Sequence, residues 1–574
     1  MGDTHWEPLL VRKTSGSDEE EEEEEDEVVF ERGGRDGIRH SSCSSVKLSH
    51  AEAIEESGFG LFHGLLLVVC GWANASDAVE ILCVSFLLPT ARCDLQLSSS
   101  DMGILMASLF LGMMVGGYTW GYLADTRGRR KVLVASLAVN GVFGALASLA
   151  PRFWLFLLLR LVSGFGVGGS IPVIFSYFSE FQPRQRRGAM VSALATFWMA
   201  GNILAAGLAW GVIPNTRLLS LQLPRGLVFQ SWRLFMVLCA VPSLSSALLF
   251  MLVMPESPKF LIEAGRHAEA LRVFRTMFQL NHRGVTKPFP MAGLLNSLES
   301  RHGNSSSSSA TASSPRHTHT PSTSTSSSRS SASSRAAVAM MCECVRKGVA
   351  PIRQLFSGSL SSRSTALTVV FYCLSFGYYG LWMWFPELFK RAEEDGGSPC
   401  HGNLNATTTT TTTHLETNDS CYPVKTAVYM EGFVTALANL PGNIFSVMVM
   451  DRVGGRALLS SSLLLSSASV FFIWEVKTKT QSLVMCCVFS GVVSVVAWNA
   501  LDVLGTELYP TRLRSSALGF FTGVGRIGAI TGNLAFGRLL DVSCGVPIMA
   551  VALLLLTSGL VALRLPRTRQ AELT

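Results

Sequence analysis

Twelve apolar runs, each about the length of a bilayer crossing, dominate this chain: Leu61–Pro89, Gly103–Ala124, Val132–Ala150, Phe153–Phe178, Met190–Ile213, Arg233–Met254, Ser364–Phe389, Thr426–Met450, Ala457–Val476, Ser482–Gly505, Ala517–Arg538 and Val546–Leu563. A spanning helix needs ~20 such residues. Only 15% of the chain is charged, against ~25% in soluble domains. The bilayer is therefore the main partner, and an all-α membrane protein is expected. The polar, acidic start predicts that the first apolar run serves as its own insertion signal.

Orientation is read from Lys and Arg in the short loops. Arg127, Arg129, Arg130 and Lys131 follow span two; Arg184, Arg186 and Arg187 follow span four. Arg452 and Arg456 follow span eight, Arg512 and Arg514 span ten, and Arg564, Arg567 and Arg569 span twelve. All lie after even-numbered spans, so that side and both termini are expected in the cytosol.

The loops divide the chain. Residues 1–57 form a cytosolic tail with an unbroken acidic run, Asp18–Glu27, which repels itself and is expected to stay unfolded. Residues 58–254 carry the first six spans. The cytosolic linker 255–363 contains an amphipathic helix pattern at Arg266–Leu280 and a Ser-rich stretch that cannot bury a core. Residues 364–565 carry the other six spans, with a luminal loop at 391–424, and 566–574 form a short cytosolic tail. In that loop Asn405 and Asn418 open glycosylation sequons. Cys400 and Cys421 bracket its Thr-rich part, and an oxidising lumen would let them close a disulfide. The Trp382, Trp384, Phe385 cluster suits a membrane interface.

The first span carries Asp77 and Glu80 near its middle. A charge there costs roughly 3 kcal/mol on the mildest scale. Three residues apart, the two acids are read as sharing a helical face that must look into protein or a wet cavity. Arg160, in span four, is a candidate to neutralise one of them. Proton or substrate coupling through Asp77, Glu80, Asp502 and Arg160 is weighed against a structural ion pair.

The two sets of six spans echo each other. Asp125 and Arg129 follow span two as Asp451 and Arg456 follow span eight. Glu180 precedes Arg187 by the same seven positions as Glu507 precedes Arg514. Recurrence at matching places predicts two six-helix pseudo-symmetric bundles facing each other across a central site. These eight charged residues are expected to form a cytosolic gate that breaks as the halves rock.

At these loops the chain resembles the major facilitator superfamily, in its sugar-porter-like branch; Arg160, Gly164, Gly166, Gly168 and Pro255–Pro258 fit that branch. Gly71–Pro89, Leu111–Val115, Gly168–Phe181, Phe376–Gly380 and Ala497–Val503 are similar to the synaptic vesicle glycoprotein 2 family. The resemblance implies a major facilitator fold and a ligand pocket at Trp198, Tyr378, Trp498, Asn499 and Asp502, with Tyr379 adjacent. It also implies a role in regulated exocytosis and a synaptotagmin-like partner on the cytosolic N-terminal tail. Thr126 and Arg567 depart from the superfamily's loop patterns. The family's long luminal repeat domain is replaced here by the short Thr-rich loop.

Indoles and phenols with a few carboxylates suit a neutral or cationic amphipathic solute. The expected function is a proton-linked carrier of a small organic solute working by alternating access in vesicle membranes. The alternative is a vesicle scaffold that keeps the fold without flux. No nucleotide loop, metal-ligand set or nucleophile arrangement appears, so no enzyme, cofactor, metal or nucleic-acid partner is expected.

Overall fold

The computed structural model describes residues 50–215, 221–222, 228–282, 352–394, 424–475 and 478–566. The acidic run, the Ser-rich stretch, Asn405, Asn418, Cys400 and Cys421 lie outside the described residues.

Twelve helices cross the membrane in two bundles of six. The first bundle contains α1 (Leu61–Asp94), α2 (Ser99–Arg127), α3 (Arg129–Ala147), α4 (Phe153–Ser179), α5 (Arg187–Val212) and α6 (Ser231–Leu252). The second contains α7 (Ser361–Trp382), α8 (Thr426–Met450), α9 (Gly455–Glu475), α10 (Lys479–Gly505), α11 (Thr511–Leu539) and α12 (Gly545–Ala562). Eleven are apolar enough to cross by composition. The other, α11, carries Arg514, Arg526 and Arg538 within its length.

Local chemistry sets the helix ends. Ser98 caps α2 with Asp101 in a reciprocal capping box, which satisfies two backbone donors. Gly128 (φ 105°) separates α2 from α3, and Gly454 (φ 85°) separates α8 from α9. Both bends need a backbone that side chains resist, and they stand at matching places in the two halves. Within the first bundle α2 and α4 pack backbone to backbone: a Cβ on Gly116 would lie 2.1 Å from Phe165 O. Small residues permit that approach where lipid supplies no hydrophobic drive.

Span seven is interrupted. After Trp382 the chain turns and resumes as the helix Phe385–Glu394. Trp382, Trp384 and Phe385 are buried, Trp384 stacking on Phe536 at 6.2 Å. The cluster therefore packs inside the second bundle rather than at a lipid interface. Span ten contains a π-helical turn at Val488–Ser494.

The amphipathic helix read in the linker is present at His267–Asn281. It buries Leu271, Phe274 and Met277 against the start of α1. Asn281 fixes it there, accepting from Phe62 N at 3.0 Å and donating to Gly58 O at 2.8 Å.

The cysteines at the membrane edge differ from those inside the spans. Cys93, at the end of α1, and Cys544, just before α12, are disulfide-bonded. Both lie on the face opposite the basic loops. Cys70, Cys83, Cys239, Cys373, Cys486 and Cys487 are free.

Candidate functional site

Three of the sequence-read aromatics meet between the bundles. Trp498 of α10 lies 6.2 Å from Tyr378 and 5.9 Å from Tyr379, both on α7. Tyr378 stacks on Trp382 at 5.1 Å. Phe110 of α2 brings the other half to the group, 5.0 Å from Tyr379. The indole N–H of Trp498 is buried without an acceptor. An unpaired donor is costly in such a setting, and a solute oxygen would satisfy it.

Asn499 and Asp502 flank this cluster differently. Asn499 donates to Asn443 Oδ1 at 2.9 Å, and Asn443 reaches Thr196 of α5 at 3.3 Å. That chain links the two halves. Asp502, four residues on from Trp498, is exposed at the helix surface, and its charge acts on Tyr379. Trp198 is half-buried on α5 and packs against the core.

Asp77 and Glu80 do not share one site. Glu80 turns towards α4, where Arg160 donates to it. Ser163 Oγ lies 2.5 Å from Glu80 Oε1, and Arg160 also reaches Cys83 Sγ at 2.8 Å. Both members of the pair are 1% exposed. Glu80 is therefore a sealed ion pair. Asp77 is fully buried and neither carboxyl oxygen has a partner. The Ser170 hydroxyl beside it donates to Val167 O at 3.1 Å. Arg526 of α11 acts on both Asp77 and Tyr379 and stands 5.9 Å from the Phe110 ring. Both acids therefore lie beside α4: Glu80 is tied to Arg160 and Ser163, while Asp77 has no ion partner among the described residues and lies within reach of the Arg526 charge.

Among the described residues the basic face shows an ion network in the first bundle. Arg129 bridges Asp125 at 3.5 Å and Glu180 at 3.1 Å. Glu180 accepts from Ser257 Oγ at 2.5 Å, and burial raises its pKa above the ordinary carboxylate value despite Ser257 and Arg129. The spacing paired Glu180 with Arg187, but Arg187 turns to Gln182 O at 3.5 Å instead. In the second bundle Arg456 donates to Leu563 O. Glu507 is exposed and makes no ion pair with Arg514 among the described residues. The Asp451 side chain lies outside the description. Matched spacing in sequence therefore does not produce matched ion pairs.

The opposite face carries contacts that join the halves, which the sequence reading missed. Arg92 of α1 pairs with Glu387 at 3.1 Å, and Arg391 with Glu387 at 3.3 Å. Arg391 also holds Asp541 at 2.7 Å, which accepts from Ser99 of α2 at 2.8 Å. Thr90 meets Tyr429 at 2.5 Å, and Ser85 donates to Met383 O at 2.5 Å. The space behind, lined by Ser85, Trp382, Phe385 and Ala436, is only 10 Å³, at the limit for one water. These contacts close this face. The available signal was Arg92 at the end of span one, with Glu387 and Arg391 four apart after span seven.

Residues 48–289 match the family described as Sugar (and other) transporter, and residues 426–574 the Major Facilitator Superfamily. Synaptic vesicle glycoprotein 2C of Mus musculus is 31% identical over 603 residues, covering 90% of this chain and 80% of that one. Synaptic vesicle glycoprotein 2B of Homo sapiens is 31% identical, covering 91% and 86%. The chain belongs to the synaptic vesicle glycoprotein 2 family. This family member is accordingly a transporter-like protein of the major facilitator superfamily, in its sugar-porter-like group.

Among solved structures it is similar to the xylose transporter XylE from E. coli. The partially occluded inward open form matches with TM-score 0.59 at 15% identity, covering 88% of this chain and 98% of that one. The inward open form matches with TM-score 0.56, also at 15% identity, covering 89% and 98%. At that identity the likeness speaks for the fold. Within it, Arg526 is the functional-site candidate that sequence reading passed over, because a lone Arg in the most charged span gave no pattern.

Proposed function

We propose that this family member is a proton-linked carrier of a small organic solute, working by alternating access in secretory-vesicle membranes. The observation that carries the reading is Asp77: a fully buried carboxyl on α1 whose oxygens have no hydrogen-bond partner among the described residues, within reach of the Arg526 charge on α11 of the other bundle. An ionised carboxylate left bare there would cost several kcal/mol. Asp77 would thus be the group that carries the coupled proton. Opening to water on either face would let it ionise, with Arg526 as the counter-charge. The solute would sit against Tyr378, Tyr379 and Trp498, its oxygen accepting from the Trp498 indole, with Asn499 and Asp502 as further polar anchors. Trp198 would complete the wall from α5.

The closed face would look into the lumen, supported by the disulfide-bonded Cys93 and Cys544 on that side, since disulfides persist in oxidising compartments. Opening towards the lumen would then require this set of contacts to break. Both termini would be cytosolic, leaving residues 1–57 free to dock a synaptotagmin-like partner. The sequence-read division at 58–254, 255–363, 364–565 and 566–574 fits this scheme.

A scaffold without flux is favoured by one observation: the unpaired Glu507 and Arg514 of the second-half gate. Uptake into proteoliposomes under an imposed pH gradient separates the readings. A carrier accumulates solute when the gradient is applied and loses that response in Asp77→Asn. Binding without accumulation across a panel of sugars and organic ions would leave the scaffold.

A further inference from the structure

A groove of 510 Å³ runs along the outside of the seam between the bundles, a volume ordinary for a small-ligand site. It is lined by Ala107, Ser108 and Leu111 of α2, Trp154 and Leu158 of α4, and Ile530 of α11. Trp154 is 73% exposed, Leu158 56% and Leu111 42%. On spanning helices, side chains so exposed on the outer surface face lipid.

The chemistry of the lining is narrow. Its one hydroxyl, Ser108, already donates to Leu105 O at 2.7 Å. Apart from the Trp154 indole N–H at the rim, the lining offers no polar group to the many hydroxyls of a sugar-like solute, so the occupant is hydrocarbon. The depth is also defined. Trp154 is the second residue of α4 and Ala107 lies in the third turn of α2, both towards the face away from the basic loops. At that end Arg152 is exposed and makes no ion pair among the described residues. An unpaired cation beside an exposed indole is the side-chain pair that meets headgroups at an interface.

We propose that this groove holds one acyl chain of a phospholipid from the leaflet on that face, with its phosphate at Arg152. Because α2 and α4 belong to one bundle and α11 to the other, the chain packs across the seam. It lies on the same interface where Gly103 and Gly537 approach so closely that a Cβ on Gly103 would come 2.9 Å from Gly537 Cα. Occupancy would thereby favour the arrangement closed on this face.

The site is tested in nanodiscs made with a phosphatidylcholine bearing a diazirine near the end of one tail. Photolysis and peptide mass spectrometry then map the adducts. At Leu111, Leu158 and Ile530 they are expected to exceed those at Leu248 and Leu252, equally lipid-facing on α6, by about fivefold; this equals about 1 kcal/mol of preference. Leu158→Trp, which fills the groove, should abolish the excess. Arg152→Glu, at an exposed position, should reduce it without touching the groove. Even labelling over all lipid-facing residues, unmoved by either variant, would mean annular lipid only and overturn the proposal. The experiment needs no transport, so it stands or falls apart from the carrier reading.

Discussion

Arg92 Nη1 lies 3.1 Å from Glu387 Oε1, and the two residues belong to opposite bundles. Glu387 is 4% exposed in its side chain while Arg92 is 34% exposed, so the pair is half in water. Screening limits such a bond to about 1 kcal/mol, but the buried Glu387 adds a penalty when its partner leaves. Arg92→Gln should therefore shift the equilibrium towards opening on this face by about tenfold. The probe is Ala436→Cys, a small change at a position buried behind the latch. Its labelling by an impermeant maleimide from the luminal side should speed up in the Arg92→Gln background. An unchanged rate would show that Arg391 and Asp541 hold the face without Arg92.

Asp77 and Glu80 should respond in opposite ways to loss of charge. Glu80→Gln leaves the Arg160 guanidinium buried and uncompensated, which costs about 3–5 kcal/mol. Arg160→Met leaves the complementary orphan. The double variant should recover much of the loss, because neither charge remains buried alone. Asp77→Asn removes no partner and should shift stability by under about 1 kcal/mol. Thermal unfolding of the purified variants in one detergent checks the ranking. Equal melting of Asp77→Asn and Glu80→Gln would contradict the division of roles.

Sequence reasoning reached the fold because the bilayer leaves few choices. Long apolar runs, Arg-rich loops on one side and the echo between halves each rest on a strong one-dimensional signal. The Tyr378–Tyr379–Trp498 group was named through the family resemblance, which puts spans seven and ten at the cavity, and the fold brings those three rings within 6.2 Å of one another. Sequence reasoning could not tell Asp77 from Glu80: both lie beside α4, and only the packing of that helix gives Arg160 and Ser163 to Glu80 and leaves Asp77 without an ion partner among the described residues. It also misassigned Glu180, because Arg187 and Arg129 are both in reach along the chain and the fold brings Arg129. The latch on the opposite face was hidden for a related reason. Its members, Arg92, Ser99, Glu387, Arg391 and Asp541, come from four separated places with no repeated spacing.

The Trp498 ring makes a separate prediction for ligand binding. It touches both tyrosines and offers an unpaired N–H. Trp498→Phe keeps most of the aromatic contact and removes the donor, so binding should weaken by the 1–3 kcal/mol of one hydrogen bond, about tenfold or more. Trp498→Ala also removes the ring and should weaken it further. Isothermal titration with whichever solute the uptake screen identifies reads both. Equal affinity of Trp498→Phe and the wild type would mean that the indole N–H does not meet the solute.

His50 gives the protein a pH response on the basic face, outside the spans. Burial lowers its pKa to about 4, helped by the nearby Lys259 and Arg187 charges. Its ring packs edge-on against Phe274 at 6.1 Å, on the docked helix His267–Asn281. The folded form stays neutral between about pH 6.5 and 4, whereas the undocked form takes up a proton below about 6.5. The undocked form binds more protons in that window, so docking is favoured at high pH and weakens as pH falls. At pH 5 the loss is about 2 kcal/mol, felt as local opening of this helix rather than as global unfolding. Amide exchange over His267–Asn281, corrected for intrinsic rates, should be more than tenfold faster at pH 5 than at pH 7.5. His50→Phe keeps a ring against Phe274 and removes the titrating group, so its exchange should no longer depend on pH in this window. If the variant kept the full acceleration, another group on this face, such as the buried Glu180, would have to be the sensor.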